Sequence, residues 1–366
     1  MKKIYSALGL MSGTSMDGVD ASVIQSDGET NCKLISNTYF EYNRDLFKRL
    51  TRLRDKINSS KDLNNMSDEI EVLEKEITFF HAQISNKVIE KLPFKIDLVG
   101  FHGQTIFHKV EEKISVQIGN GSLLSQLIKK KVIYNFRQND LKNGGEGAPL
   151  TPIYHKLLAK LLVEEKKIKI PVTILNIGGI ANITSISKNY KILSMDIGPG
   201  NCLIDKWIRS NSNKNFDENG NIAKFGKIDK FLLEQTLDNF YYNNIVNKKS
   251  LDINDFDISP FRGLSLENGA ATIIEFTADI LSKKILNEHV YVCGGGRKNN
   301  FLIETIQKKI QNKIQNIDIL DIDGGFIESQ AFGYLAIRSY LGLPISFPET
   351  TGCKEANSGG VLVKNY

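Results

Sequence analysis

A glycine- and hydroxyl-rich segment near the N-terminus is the first candidate for chemistry. Its residues are Ser12, Gly13, Thr14, Ser15, Met16, Asp17 and Gly18. The apolar runs on either side, residues 8–11 and 19–24, predict a β-hairpin with this segment as its polar tip. Two glycines allow close approach of the backbone, and hydroxyl and N–H groups suit a phosphate. The segment lacks the spacing of a P-loop, so a phosphate site and an ordinary glycine turn both fit.

A carboxylate, Asp196, lies at the end of a β-like run and directly precedes Ile197, Gly198, Pro199 and Gly200. At the carboxyl end of a strand, an aspartate can act as a general base or hold a metal-bound water. It can equally cap the helix that we expect to begin near residue 201. The residue types alone leave both interpretations open.

Two further glycine turns follow β-like runs. Gly178 and Gly179 come after residues 172–177, and Gly294, Gly295 and Gly296 come after residues 290–293. Bare glycines leave a flat surface on which a purine or ribose could lie. The alternative is that they only make tight connections between elements, as most glycine turns do.

Two basic side chains lie where a strand is expected to give way to a polar loop. His102 is followed by Gly103, and Arg137 follows residues 132–136. An arginine at such a place can pair with a carboxylate through two parallel hydrogen bonds. A lone histidine is more often structural than catalytic, so His102 carries less weight.

The elements that must position these residues alternate between strands and helices. The sequence predicts strands at residues 96–101, 132–136, 172–177, 181–186, 192–197 and 290–293, and helices at residues 66–92, 152–162, 267–285 and 328–341, with others near Trp207 and after Lys298. Such alternation predicts an α/β fold with a largely parallel sheet and helical cover. Functional loops in such sheets gather at the carboxyl ends of strands.

Composition limits the classes of protein that need consideration. The chain has 366 residues, 41% hydrophobic and 24% charged, which is typical of a globular protein. No apolar run approaches the roughly 18 residues of a membrane span, and no signal pattern precedes the first strand, so we expect a cytoplasmic protein. The four cysteines lack metal-type spacing. The net charge of +5 comes from short lysine runs, which favour solvated helix faces over nucleic-acid binding.

Taken in order, the motifs resemble those of the anhydro-N-acetylmuramic acid kinases, which share a superfamily with hexokinase, actin and the heat-shock ATPases. The matching segments are GLMSGTSMDGVDA (9–21), GFHGQT (100–105), NFRQNDLKNGGEGAPLTP (135–152), LNIGGIANIT (175–184), MDIGPGNCLID (195–205), DENGNIA (217–223), CGGGRKNN (293–300), ESQAFGYLA (328–336) and PETTG (348–352). The resemblance covers nearly the whole chain. It implies a two-domain, actin-like ATPase fold of the ribonuclease H-like type with a cleft between the domains. We expect one domain at residues 1–135 plus 345–366 and the other at 136–344.

The resemblance also implies a role for each motif. Residues 13–20, which are Gly13, Thr14, Ser15, Met16, Asp17, Gly18, Val19 and Asp20, would form the phosphate hairpin for ATP. The glycines Gly178, Gly179, Gly294 and Gly295 would also contact the nucleotide, the last two beside the adenosine. Asp196 would be the catalytic base and a substrate ligand, acting with ATP and Mg²⁺. Arg137 would bind the lactyl carboxylate of the sugar, and His102 a sugar hydroxyl.

By the same resemblance, the reaction would open the 1,6-anhydro ring with water and phosphorylate O6, within the recycling of cell-wall sugars. The partners would then be small molecules, with no nucleic acid or membrane, and a homodimer is suggested. Two alternatives stay open. One is a kinase of the same superfamily acting on a non-anhydro sugar. The other is a nucleotide-responsive scaffold that has lost turnover.

The chain departs from the family pattern at four places. Asn120 and Asn135 stand where the family usually has aspartate, Glu146 replaces a glutamine, and residues 249–254 replace a Lys-Ser-Thr-Gly-Arg-Glu segment. We expect these changes to affect sugar contacts or loop pairing. None of them touches Asp196 or the phosphate hairpin, so the reaction type is expected to be preserved.

Overall fold

The chain folds into two compact units, the first assembled from two separate stretches of sequence. A computed structural model describes residues 2–242, 250–286 and 289–366. Unit 1 comprises Met1–Leu162 together with Phe326–Tyr366, and unit 2 comprises Val163–Gly325. None of the helices in these described ranges is both long and apolar enough to cross a bilayer.

Unit 1 begins with a three-stranded meander and is completed by the stretch Phe326–Tyr366. Its elements are β1 (Tyr5–Ser12), β2 (Gly18–Ser26), β3 (Cys32–Glu41), α1 (Arg44–Lys56), α2 (Ser60–Asn65), α3 (Ser67–Ile89), β4 (Leu98–Lys109), β5 (Ile114–Ile118), α4 (Gly121–Ile128), β6 (Lys131–Tyr134), α5 (Gln138–Lys142), α6 (Pro152–Glu164), α11 (Ile327–Tyr340), α12 (Pro348–Thr351) and β12 (Val361–Val363).

Within the described residues, the sheet of unit 1 has seven strands in the order β12-β6-β4-β1-β2-β3, with β5 paired to β4. The contacts of β1 with β4 and of β4 with β6 are parallel, and the other pairings are antiparallel. The core lies between this sheet and the helices, where α1 contributes Leu46, Leu50 and Leu53, spaced as one helical face.

Unit 2 is continuous in sequence and carries its own sheet. Its elements are β7 (Val172–Ile177), β8 (Ile180–Ile186), β9 (Ile192–Pro199), α7 (Cys202–Asn211), α8 (Lys230–Tyr242), α9 (Leu266–Ser282), β10 (His289–Cys293), α10 (Asn300–Lys309) and β11 (Ile314–Asn316). Short 3₁₀ turns occur at Glu218–Gly220, Ala223–Phe225, Ile253–Asp255, Ser259–Phe261, Gly295–Lys298 and Ile317–Leu320. Among the described residues, the strand order is β11-β10-β7-β8-β9.

The α/β class and most of the predicted elements are confirmed, but the prediction of largely parallel sheets is wrong. Among the described residues of unit 2, only β10 pairs in parallel, with β7 and β11, whereas β7, β8 and β9 form an antiparallel meander. Strands joined by turns of a few residues can pair only antiparallel, because a parallel crossover needs about a dozen residues. The strand predicted at residues 96–101 also continues to Lys109, through His102 and Gly103.

The division into units differs from the boundaries expected at residues 135 and 344. Residues 136–162 and 326–344 group with the N-terminal stretch. The reason is packing: α11 lies against β1, β2 and β4. The hydroxyl of Tyr154 on α6 donates to Gln330 Oε1 on α11 at 2.7 Å, and both side chains are buried.

Candidate active site

The polar segment of residues 12–18 forms the tip of the β1–β2 hairpin, as predicted. The ladder ends where Met11 pairs with Asp20, and the turn is closed by the Met16 N–H, which donates to Gly13 O at 3.1 Å. Met16 adopts a left-handed backbone with φ of 58°, and its side chain is fully buried in the core. The tip is thus anchored by an apolar side chain, while Ser15 and Asp17 stay exposed at the surface.

Some of the residues predicted to contact a phosphate can reach it only with their backbone groups. Met16 and Val19 have fully buried side chains. Gly13 is different, because a Cβ placed there would meet only Ser15 Oγ, at 3.7 Å, within 4 Å. The open space over Gly13 is what a ligand approaching the backbone needs. Asp17 Oδ1 accepts a hydrogen bond from Ser15 Oγ at 2.6 Å.

The glycine turns of unit 2 are tied together by backbone hydrogen bonds. The N–H groups of Gly200 and Cys202 donate to Gly179 O at 2.9 and 3.1 Å, and the N–H of Asn201 donates to Gly178 O at 2.8 Å. The β7–β8 turn is therefore fixed against the start of α7, which follows the strand that carries Asp196. The predicted nucleotide glycines Gly178 and Gly179 belong to this assembly.

The Gly294–Gly296 turn is held by an arginine that was not among the predicted site residues. Arg297 is 5% exposed, and it donates to Gly294 O, to both carboxylate oxygens of Asp318 and to Asp323. Partial burial alone would raise the pKa of Asp318. Hydrogen bonds from the Gly324 N–H and from Arg297 outweigh burial and lower that pKa. The turn is thus braced by a buried arginine whose two carboxylate partners are partly exposed.

A polar pocket of about 260 Å³ opens beside this turn, at the N-terminal end of α10. It is lined by Asn219, Asn221, Lys224, Asn300, Phe301 and Glu304. Its walls offer an aromatic ring together with amide groups, which suits a planar polar ligand. A larger depression of about 780 Å³ lies over the β8–β9 hairpin and contains none of the predicted site residues.

Asp196 lies in β9, opposite Asn182 of β8, and its residue is 8% exposed. One of its carboxylate oxygens, Oδ2, accepts a hydrogen bond from the Leu251 N–H at 2.8 Å. The segment that begins at residue 250 thus orients the carboxylate. The helix α7 begins at Cys202, and its N-cap residue is Asn201.

His102 and Arg137, which were predicted separately, lie in direct contact in unit 1. Arg137 donates from Nη2 and Nε to His102 Nε2 at 3.0 and 3.3 Å, and His102 Nδ1 lies 2.8 Å from Gly103 O. Because a carbonyl can only accept, Nδ1 carries the proton and Nε2 accepts. Burial and the adjacent guanidinium of Arg137 hold the pKa of His102 well below its usual value, so the ring is neutral.

A buried carboxylate that the sequence analysis did not assign, Asp140, organises the loop after α5. Its residue is 1% exposed, and its two oxygens accept from the Gly147 N–H and from Thr351 Oγ1, both at 2.7 Å. Gly147 O in turn accepts from Arg137 Nη1 at 2.8 Å. Asp140 therefore connects the C-terminal PETTG segment with the loop that supports Arg137.

The departures from the family pattern have mostly local consequences. Asn120 caps α4, its Oδ1 accepting from the Leu123 N–H at 2.9 Å, which an aspartate would do equally well. Asn135 is exposed and has φ of 55°, a conformation that asparagine tolerates. Of residues 249–254, Lys249 lies outside the described residues, and Leu251 supplies the N–H that binds Asp196.

Two α/β units, each with glycine turns at its strand ends, and a hairpin with an open, polar tip define a class of protein. The chain is an α/β protein of two units, each with its own sheet and helices.

The family model for anhydro-N-acetylmuramic acid kinase matches residues 5–365. The anhydro-N-acetylmuramic acid kinase of Pelagibacter ubique is 54% identical over 381 aligned residues, and that of Agrobacterium fabrum is 37% identical over 377, each alignment covering all of both chains. The chain belongs to the anhydro-N-acetylmuramic acid kinase family. Its backbone is also similar to (R)-2-hydroxyglutaryl-CoA dehydratase component A of Acidaminococcus fermentans (TM-score 0.42, 10% identity, 92% of this chain and 99% of that one), too weakly to carry an argument.

Proposed function

We propose that this kinase hydrolyses the 1,6-anhydro bridge of 1,6-anhydro-N-acetylmuramic acid and transfers the γ-phosphoryl group of ATP to O6. In this reaction water adds to C1, the C1–O6 bond breaks, and O6 takes the phosphoryl group. The products are N-acetylmuramic acid 6-phosphate and ADP. The proposal refines what family membership establishes, namely a kinase of cell-wall recycling with ATP and a sugar as substrates.

The observation that carries the proposal is the fixed carboxylate of Asp196. A general base must hold one orientation toward the water that it deprotonates. The hydrogen bond from the Leu251 N–H supports such an orientation, and the position of Asp196 in a strand supports it further. Asp196 takes the proton from water as the water oxygen attacks C1. The attack therefore does not depend on hydroxide from the solution.

ATP is assigned to the glycine turns. The triphosphate lies against the hairpin tip, where the space over Gly13 is open. The adenosine lies by Gly294 and Gly295, and the 260 Å³ pocket at α10 supports this assignment because Phe301 offers a surface for a planar ring.

The residues present also suit Mg²⁺, which prefers oxygen ligands and keeps several waters. No cluster of three or more histidine, cysteine, aspartate or glutamate side chains that could hold a metal ion occurs in the described residues. Gln104 Oε1 is a buried amide oxygen without a hydrogen-bond partner in the same part of the chain, and it would be available to accept a hydrogen bond from a water of the ion. The bound ion would neutralise charge on the transferred phosphoryl group.

Arg137 is assigned to the lactyl carboxylate of the sugar. Both ring nitrogens of His102 bind protein groups, one Arg137 and the other Gly103 O. This arrangement favours a neutral His102 that orients the guanidinium over one that binds a sugar hydroxyl directly. The guanidinium is further fixed by Gly147 O.

The test is an incubation with Mg²⁺-ATP and 1,6-anhydro-N-acetylmuramic acid in ¹⁸O-labelled water, with products analysed by mass spectrometry. We expect a 6-phosphate with one labelled oxygen at the anomeric carbon. Phosphorylation of plain N-acetylmuramic acid in place of the anhydro sugar would overturn the ring-opening step. ATP binding with no product from any amino sugar would instead favour the scaffold alternative.

Asp196→Asn sharpens the same test. We expect turnover to fall by about 10²-fold or more, the scale of losing a general base, while ATP affinity stays unchanged. Asp238→Asn, an exposed aspartate on α8 in the same unit, is the matched control and should keep full activity. Equal rates for Asp196→Asn and the unsubstituted protein would remove Asp196 from the reaction.

A further inference from the structure

The peptide carbonyls of the hairpin tip are held by donors that lie far away in sequence. Gln104 Nε2 donates to Gly13 O at 2.9 Å, and Arg54 Nη1 donates to Thr14 O at 2.8 Å. On the far side of the turn, the Tyr42 N–H donates to Asp17 O at 2.8 Å. The orientation of successive peptide groups at the tip is thus set from the body of unit 1.

A trans peptide is planar, and its C=O and N–H bonds point in opposite directions. Holding Gly13 O therefore turns the Thr14 N–H away from Gln104, and holding Thr14 O turns the Ser15 N–H away from Arg54. Neither N–H group has an acceptor within the described residues. Successive N–H groups exposed in this way form a concave site for anions.

Arg54 is better suited to hold the carbonyl of Thr14 than an ordinary surface arginine is. Its residue is 9% exposed, and it lies on α1, an element outside the motifs. Asp55 Oδ1 accepts from Arg54 Nε at 3.1 Å and from Nη2 at 2.8 Å, which leaves Nη1 aimed at Thr14 O. A cationic donor at a carbonyl also polarises the peptide and strengthens the N–H at its other end.

We propose that Arg54 is a positioning residue for the nucleotide, fixing the Thr14–Ser15 peptide so that the Ser15 N–H donates to a terminal phosphate of ATP. The inference rests on the proposed function, because it deepens the assignment of the triphosphate to the tip. Arg54 itself does not touch the nucleotide. It acts through one carbonyl, so its contribution belongs to nucleotide affinity and not to sugar affinity.

The experiment is titration calorimetry of the full chain with Mg²⁺-ATP and Mg²⁺-ADP, without sugar. Arg54→Ala should weaken ATP binding by about tenfold, the loss of one charge-assisted hydrogen bond. Arg54→Lys should be intermediate, because a lysine can donate to Thr14 O but lacks the planar fork that Asp55 holds. Arg49→Ala is the matched control: Arg49 lies on the same helix, pairs with Asp45 and Glu76, and should change affinity by less than about twofold. The KM for sugar should be unchanged in all three.

Three outcomes would overturn the inference or its premise. If Arg54→Ala lowers the melting temperature but binds ATP normally, Arg54 only braces α1. If Arg54→Ala does not fold, amide hydrogen exchange of the unsubstituted protein decides: Mg²⁺-ATP must protect the Ser15 amide, and an unprotected Ser15 amide overturns the proposal. If the unsubstituted protein binds no nucleotide, the proposed function itself fails, which the first titration reveals before any variant is made.

Discussion

The hairpin tip of unit 1 and the Gly178–Gly179 turn of unit 2 are held by different means. In unit 1, side chains from remote elements hold the hairpin tip, as Gln104 and Arg54 do at Gly13 O and Thr14 O. At the Gly178–Gly179 turn, backbone groups bind each other, as the N–H groups of Gly200 and Cys202 do at Gly179 O. A side-chain brace can be removed by one substitution far from the turn. A backbone brace is sensitive only to changes that alter the course of the main chain.

The two units also differ in the number of their buried histidines. The chain has five histidines, and four of them, His81, His102, His108 and His155, are in unit 1. Burial lowers the pKa of His81 and of His108 to about 4 and that of His155 to about 3, with Arg137 also lowering the pKa of His108. His102 is lowered by burial and Arg137 alike. Unit 1 therefore carries most of the acid sensitivity.

The largest expected effect is a loss of unit 1 stability in mild acid. Below about pH 6.5 an unfolded histidine binds a proton, whereas these four stay neutral in the fold, so the free energy of unfolding falls as pH falls. The slope approaches about 1.4 kcal/mol per pH unit for each histidine well below pH 6.5, and it vanishes above about pH 7. Carboxylates such as Asp27, whose pKa is held low by hydrogen bonds from Asn31 and Thr30 despite burial, do not titrate in this window.

The measurement uses the single tryptophan, Trp207, which is buried in unit 2. Urea unfolding between pH 7 and pH 5 would be followed by circular dichroism for the whole chain and by Trp207 fluorescence for unit 2. We expect the circular dichroism midpoint to fall more than the fluorescence midpoint. Identical, pH-independent midpoints would contradict the contrast between the units.

A smaller effect is expected from Gly294→Ala in unit 2. Gly294 has φ of +79° and ψ of 175°, a region almost restricted to glycine. A Cβ there would also lie 2.4 Å from Asn176 Oδ1 and 2.7 Å from Ile177 O. We expect a loss of about 3 kcal/mol in the free energy of unfolding, measured by urea unfolding with Trp207 fluorescence.

Gly263→Ala is the matched control for this variant. Gly263 also has positive φ, +95°, but a Cβ there would have nothing within 4 Å. It should therefore show only the backbone strain, about 1 kcal/mol. Equal losses for the two variants would mean that the contacts around Gly294 are not what restricts it.

The smallest effect is expected at Asp140, the buried carboxylate of unit 1 that connects Gly147 with Thr351. Asp140→Asn presents an amide NH₂ to one of the two donors that the carboxylate now accepts, the Gly147 N–H or Thr351 Oγ1. We expect a loss of about 2 kcal/mol by circular dichroism. Thr351→Val removes one of the two bonds and should cost about 1 kcal/mol. A double-mutant cycle that showed no coupling between the two positions would contradict the connection between Asp140 and Thr351.

Local patterns predicted much of this molecule. The β1–β2 hairpin, the long helix α3 and the strands β7 to β10 were predicted because their apolar spacing and glycine boundaries are strong. The strand β3 was missed, since most of its residues are at least partly exposed and it lacks a clear alternation. The helix α1 was missed although Leu46, Leu50 and Leu53 mark one face.

The residues of the candidate site likewise fall into those that a local pattern predicts and those that it does not. Asp196 was found because it lies near the end of a strand, and the glycine turns because they follow strands, where short motifs mark a position. Asp140 and Arg54 were not, because their partners are 211 and 40 residues away and only the folded chain brings them together. The roles of Asp196, Arg137 and His102 stay predictions until the substitutions are made.

The discontinuity of unit 1 has a consequence for how the chain is made. Its sheet is completed by β12, whose residues pair with β6, and its core is covered by α11. Unit 2 is a single run of sequence, so it can fold on the ribosome while the missing parts of unit 1 are still unsynthesised. Unit 1 must then wait, with the edge of β6 exposed, for the last residues to emerge. A fusion or tag that delays the C-terminal strand would therefore lower the yield of active enzyme by exposing that edge to aggregation.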